Sequence, residues 1–155
     1  AAYIFEELMP CELNFTALSA GTPFEVSDIR VTPHSTSHLD QLKEHFGKKY
    51  PAKYEAFSFL LESKEVRVAH SADIGGLADL DPLLSQPVDL LVCELAHVEP
   101  KKLFTYLGKK EIGQVAFMHL SRPHREKLDE LKSLAKLILG NLPHTFLNDG
   151  DVIEF

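Results

Sequence analysis

No run of apolar residues in this chain is long enough to cross a bilayer, and no charged-then-apolar leader opens it. Cysteine is scarce. The two that occur, Cys11 and Cys93, are far apart in unlike surroundings, which argues against a disulfide framework. Glycine is sparse at 8 residues, and no low-complexity tract, internal repeat or linker divides the chain. Positive charge is outnumbered, so the net charge of −7 disfavours a nucleic-acid partner while leaving room for a local basic patch. An initiator methionine is also missing from the opening AAYIFEEL, as expected of a processed chain or a fragment. These absences exclude a bilayer-spanning helix and a disulfide-stapled scaffold, and the expected setting is the reducing cytoplasm.

What is present suits one ordinary domain. The 155 residues are 45% hydrophobic and 25% charged, enough to build a real core. We expect residues 1–155 to form a single domain, with 1–23 as a lead-in that is hard to read. Within it, ELNFTAL alternates Leu13, Phe15 and Ala17 as a strand would, and SAGTP then turns the chain. FEVSDIRVTP predicts two strand segments around a turn at Ser27-Asp28. SHLDQLKEHFGKKYP sets Leu39, Leu42 and Phe46 at helical spacing. YEAFSFLLES and EVRVAH read as a hairpin joined at Ser63-Lys64.

Beyond Val66, strands and helices alternate. LADLDPLLSQP predicts a short helix, and VDLLVCE a continuous apolar strand of the kind buried on both faces. EPKKLFTYLGKK reads as a helix, and QVAFMHL as another buried strand. The longest helix follows SRP, with Leu128, Leu131, Ala135 and Ile138 on its apolar stripe and His124 in its first turn. HTFLNDGDVIEF predicts a closing hairpin around Asn148-Asp149-Gly150. The pattern is that of an α/β protein.

In α/β sheets, ligands gather where strands end and backbone groups lack partners. The IRVTP strand leads to His34 and His38, VRVAH to Asp73, LLVCE to Glu94 and His97, and VAFMH ends on His119. Each residue alone has a structural reading. A histidine at a strand end is often just hydrogen-bonded, and an aspartate before Gly75-Gly76 often caps or turns the chain. Recurrence at successive strand ends favours metal chemistry, because imidazole and carboxylate are the usual ligands of hydrolytic zinc or manganese.

Taken in order, STSHLD, AHSADIGG, DLLVCELAH, FMHLSRPH and LNDGDVIEF resemble the C-terminal half of a metallo-β-lactamase-fold hydrolase, over roughly Phe24 to Phe155. That resemblance implies half of a four-layer αββα sandwich, a mixed sheet with flanking helices. It also implies two divalent metal ions, zinc first, with manganese or iron as alternatives. His38 matches the single histidine of the first metal, with His34 as runner-up. Asp73 matches the carboxylate bridging both metals, and His119 the histidine that completes the second site. The implied reaction is attack by metal-activated water on a small-molecule ester or a phosphodiester.

The superfamily's His-x-His-x-Asp-His run is absent from these residues. The resemblance therefore implies that further ligands come from an N-terminal half of the same fold, carried by a longer chain or by another chain, or that the protein associates as a homo-oligomer. The alternative is a metal-free module acting in binding or assembly. In the family's tRNA 3′-processing enzymes the strand matching DLLVCELA carries a His-Glu pair for proton transfer. Here Cys93 replaces that histidine and Glu94 is kept. His97, three residues on from Glu94, is the candidate replacement. Glu94 then reads as the acceptor that orients His119 or another ligand histidine. Asp73, Glu94 and His97 are the expected catalytic residues.

Overall fold

The computed structural model describes residues 15–155. Leu13 and Cys11 lie outside that range, and Phe15 to Pro23 follow an irregular path without a strand. The strands are β1 (Phe24–Val26), β2 (Ile29–Thr36), β3 (Ala56–Glu62), β4 (Arg67–His70), β5 (Val88–Leu95), β6 (Ile112–Leu120) and β7 (His144–Phe146). The helices are α1 (Asp40–Phe46), α2 (Pro100–Leu107), α3 (Arg122–Glu126) and α4 (Leu128–Leu139).

All the strands form one seven-stranded sheet whose order, β1 to β7, follows the chain. β1 through β4 pair antiparallel as hairpin neighbours, and β4 through β7 pair parallel. The mixed α/β sheet with flanking helices is the one the resemblance implies. This topology also sets one edge of the sheet apart. β2, β4, β5 and β6 run in the same direction, so their carboxyl ends open along a common border.

Pleating sends alternate side chains to opposite faces. One face carries Leu60, Ala69, Leu91, Cys93, Leu95, Val115 and Phe117 into a core closed by α2 and α4. Leu103, Phe104 and Leu107 of α2 and Leu131, Ala135 and Leu139 of α4 are the helix sides of that core. The Phe117 ring packs 5.1 Å from both Phe104 and Phe146. The other face presents Phe57, Phe59, Leu61, Val68, Val92 and Met118, all half-buried. Among the described residues, the helices of the core lie on the first face.

Three expectations are corrected. LADLDPLLSQP makes only a single 3-10 turn, Leu77–Leu80, because Pro82 and Pro87 withdraw the N–H groups a longer helix needs. His124 sits in the separate short helix α3, which ends at Lys127 before α4 begins. The closing hairpin forms its turn, with the Asp151 N–H donating to the Asn148 carbonyl at 3.1 Å, but no second strand. β7 pairs with β6 at the edge of the sheet, and the chain beyond the turn does not return along its outer edge, leaving Val152 89% exposed. Among the described residues no helix is long and apolar enough to cross a membrane.

β5 and β6 meet closely at Gly113, where an added Cβ would lie 2.6 Å from the Asp89 carbonyl oxygen. Neither backbone can retreat without breaking the parallel ladder. Gly113→Ala should therefore lower stability by roughly 1–3 kcal/mol, as overpacking does, read as a shift in the urea unfolding midpoint.

Candidate metal centre at the strand ends

The common border of β2, β4, β5 and β6 gathers the residues singled out by their strand-end positions. His38 follows β2 by two residues, Asp73 follows β4 by three, Glu94 and His97 flank the end of β5, and His119 is the penultimate residue of β6. Thr36, the last residue of β2, donates its hydroxyl to the Asp73 carbonyl at 2.9 Å. The loop after β4 thus crosses the start of β3 to reach the end of β2.

Asp73 lies between two imidazoles. Its Oδ2 is 3.8 Å from His38 Nε2 and its Oδ1 is 3.6 Å from His119 Nε2. Both separations exceed a direct hydrogen bond. Two ligands about 2.1 Å from a common tetrahedral ion stand about 3.4 Å apart, so the spacing fits atoms converging on a cation better than atoms bonded to one another. His97 completes the group. His38, Asp73 and His97 each offer a ligand atom, all within 4.8 Å of one another. The His97 ring centroid lies 4.5 Å from that of His38, edge to face, and 5.6 Å from that of His119.

Glu94 is 1% exposed and organises this cluster from beneath. Its Oε2 accepts the N–H groups of Ala96 at 2.5 Å and His97 at 3.0 Å. Its Oε1 accepts the Ile74 N–H at 3.2 Å and lies 3.1 Å from His97 Nδ1. A carboxylate only accepts, so Nδ1 carries the hydrogen and Nε2 of His97 keeps its lone pair. The carboxyl of Glu94 therefore orients His97, whereas its expected partner His119 is not among its hydrogen-bond partners.

The β5–β6 register slips between Glu94 and Leu95: Glu94 faces Met118, yet Leu95 faces Leu120. His119 is the extra residue, with a left-handed φ of 47°. A bulge of this kind re-aims a side chain out of the ladder. Ala72, just before Asp73, holds a similar φ of 46°. These two non-glycine positions bear backbone strain on either side of the cluster.

His34 is not part of the site. It faces Ser58 within the β2–β3 ladder, its Nε2 has no hydrogen-bond partner, and burial lowers its pKa against an opposing charge on Glu62. Cys93 points into the helix-side core, where burial pushes its thiol up to about 12 and keeps it unreactive. Asp73 does not act as a cap, since Gly76 occupies the N-cap of the 3-10 turn. The remaining histidines serve the backbone: His45, His124 and His144 each engage a carbonyl through Nδ1, those of Gln41, Leu95 and Leu142.

Beside the cluster a cavity of about 490 Å³ is lined by Ala56, Phe57, His70, Met118, Asp73 and His119, among others. His70, not chosen among the site residues from sequence, accepts the Ala72 N–H on Nδ1 at 3.0 Å. The alternation of EVRVAH offered the one available signal, since it puts His70 on the sheet face opposite the helices.

No protein-family model and no curated protein matches this sequence. Solved structures do. The metallo-beta-lactamase fold protein YhfI from Bacillus subtilis aligns with a TM-score of 0.67 at 16% identity, over 96% of this chain and 59% of its own. An isothiocyanate hydrolase from Delia radicum gut bacteria gives 0.65 at 11%, over 92% of this chain and 61% of its own. Zn(2+)-bound PqqB from Methylobacterium extorquens gives 0.51 at 15%, over 89% of this chain and 51% of its own. The fold is thus the metallo-β-lactamase fold, and the chain spans between about half and three fifths of the length of these structures.

Two outcomes are expected. Burial, partly offset by a hydrogen bond to its own backbone, lowers the His70 pKa below the ordinary 6.5. Below 6.5 the unfolded chain takes up that proton before the folded chain does, so stability should fall with pH until the lower folded pKa is reached. Titrated denaturation of wild type and His70→Gln should show a shallower acid loss in the variant. At position 119 the usual strand order should invert. Because the residue is left-handed, His119→Gly should be about 1 kcal/mol more stable than His119→Ala, compared by chemical unfolding.

Proposed function

We propose that this chain is part of a metal-dependent hydrolase that cleaves a small-molecule ester or a phosphodiester. The observation that carries this reading is the Asp73 carboxylate, with one oxygen turned to His38 and the other to His119. In this reading His38 and Asp73 would hold one divalent ion, and Asp73 and His119 a second. The nitrogen and oxygen donors suit zinc first, with manganese or iron as alternatives. Ions held there supply Lewis acidity and lower the pKa of a bound water, providing a nucleophile near neutral pH.

The chain's own groups have separate tasks. Glu94 fixes the tautomer and tilt of His97. In this reading His97, exposed and with Nδ1 engaged by Glu94, would pass a proton to or from the reacting group through Nε2. The cavity beside Asp73 would receive the substrate, with Phe57 and Met118 as apolar walls. A hydrolase and a zinc-bound protein among the similar structures support the class. With a net charge of −7, a nucleic-acid substrate is disfavoured.

The apolar sheet face opposite the helices supports a second element of this reading. It takes another sheet, either the N-terminal half of the same fold or a second copy, which would supply the remaining ligands. The same face favours the competing reading, a non-catalytic module that acts in binding or assembly.

Metal content of the full-length protein separates the two. Wild type should retain zinc or manganese through gel filtration, and Asp73→Ala should lose more than the roughly 10–100-fold in affinity typical of a merely supporting residue. Equal metal in both proteins would overturn Asp73 as a ligand and favour the module.

A further inference from the structure

Asp79 lies in the 3-10 turn Leu77–Leu80, outside the metal cluster. Its Oδ2 accepts three hydrogen bonds, from the Ser37 N–H at 3.0 Å, the Ser37 hydroxyl at 2.9 Å and the Gly75 N–H at 2.8 Å. Ser37 precedes His38 and Gly75 lies two residues beyond Asp73. One carboxylate oxygen therefore joins the two loops that present His38 and Asp73.

The join is close. A Cβ on Gly75 would lie 2.6 Å from both the carbonyl carbon and the oxygen of Ser37, so the loops meet backbone to backbone. No salt bridge engages Asp79 among the described residues. Among the described residues, the hydrogen bonds it accepts all come from the two loops. Among the described residues, the Thr36 hydroxyl to the Asp73 carbonyl is the one comparable side-chain link between them.

We propose that Asp79 is a positioning residue that sets the separation of His38 from Asp73. The inference rests on the metal-site reading above. A carboxylate that accepts three donors from two loops fixes their relative height, and the 3.8 Å gap between His38 Nε2 and Asp73 Oδ2 follows from that height. Without it, each loop would keep its own strand but lose its register against the other. Metal affinity depends on that register far more than folding does, because small displacements of a ligand atom degrade coordination.

The test uses the full-length protein with zinc as probe. Affinity is measured by chelator competition in wild type, Asp79→Ala, Asp79→Asn, Ser37→Ala and the control Asp81→Ala. Asp81 is an exposed carboxylate held by Tyr106 and Lys110, away from the cluster. Asp79→Ala should bind zinc about 10–100-fold more weakly. Asp79→Asn keeps an acceptor oxygen and should recover most of that loss. Ser37→Ala removes one hydroxyl and should fall between wild type and Asp79→Ala, while Asp81→Ala should match wild type. Cobalt(II) spectra of Asp79→Ala should show an altered ligand field, a change that lost stability alone would not cause.

Zinc binding by wild type with unchanged affinity in Asp79→Ala would overturn the positioning role alone. Equal weakening in Asp79→Ala and Asp81→Ala would overturn it in favour of general destabilisation. Failure of wild type to bind zinc or cobalt would overturn the metal-site reading, and the positioning role with it.

Discussion

A buried carboxyl group on β5 governs this end of the molecule. Left without donors, Glu94 would be strongly destabilising at that depth. Instead it accepts the N–H groups of Ile74, Ala96 and His97 and meets the His97 ring. Those donors come from two segments, the loop after β4 and the turn after β5. Satisfying one buried residue thus fixes the path of the loop that carries Asp73 and the direction of the His97 ring. The Glu94 N–H is itself bound to the Ser71 hydroxyl at 3.0 Å, which ties the same loop again. In such a network each bond supports the next, so the site is held from below and left open above.

The opposite constraint acts at β6. A regular strand would bury or misdirect the side chain at position 119, and the bulge turns it toward Asp73 at the expense of a left-handed backbone. Ala72 carries the same strain on the other side. Strain at two places beside one group of chemically active residues is what preorganisation requires, because the surrounding sheet and not the local chain dictates the conformation. The helix-side core supplies that rigidity, with Phe104, Phe117 and Phe146 stacked beneath β6.

Much of the fold was legible in the sequence. VDLLVCE and QVAFMHL are continuous apolar strands because one face packs beneath the helices and the other belongs to the apolar, half-buried face of the sheet, and the stripe of α4 repeats at helical spacing because one side lies on the sheet. Strand-end polarity was legible for the same reason: His38, Asp73, Glu94, His97 and His119 stand where apolar patterning stops, and the structure brings them together. Position within the cluster was not legible. Whether Glu94 faces His97 or His119 depends on a register slip of one residue, which leaves no trace in composition. Asp79 is silent in sequence because its partners, Ser37 and Gly75, meet it only through the tertiary fold. The final hairpin failed for a related reason. Asn148-Asp149-Gly150 encodes a turn and the turn forms, but the residues beyond it leave the outer edge of β7 unpaired, with Val152 in solvent.

The strand order carries a consequence for how the molecule is assembled. Every strand lies beside its predecessor in the chain, from β1 to β7. The sheet can therefore be laid down by addition, each strand finding its template already in place, with loop-closure entropy spent in small steps. The candidate site residues then arrive in a fixed sequence: His38 with β2, Asp73 with β4, His97 with β5 and His119 last with β6. In the proposed reading, an ion shared by Asp73 and His119 could be held only once β6 has docked, and its capture would then act as a latch on the completed sheet.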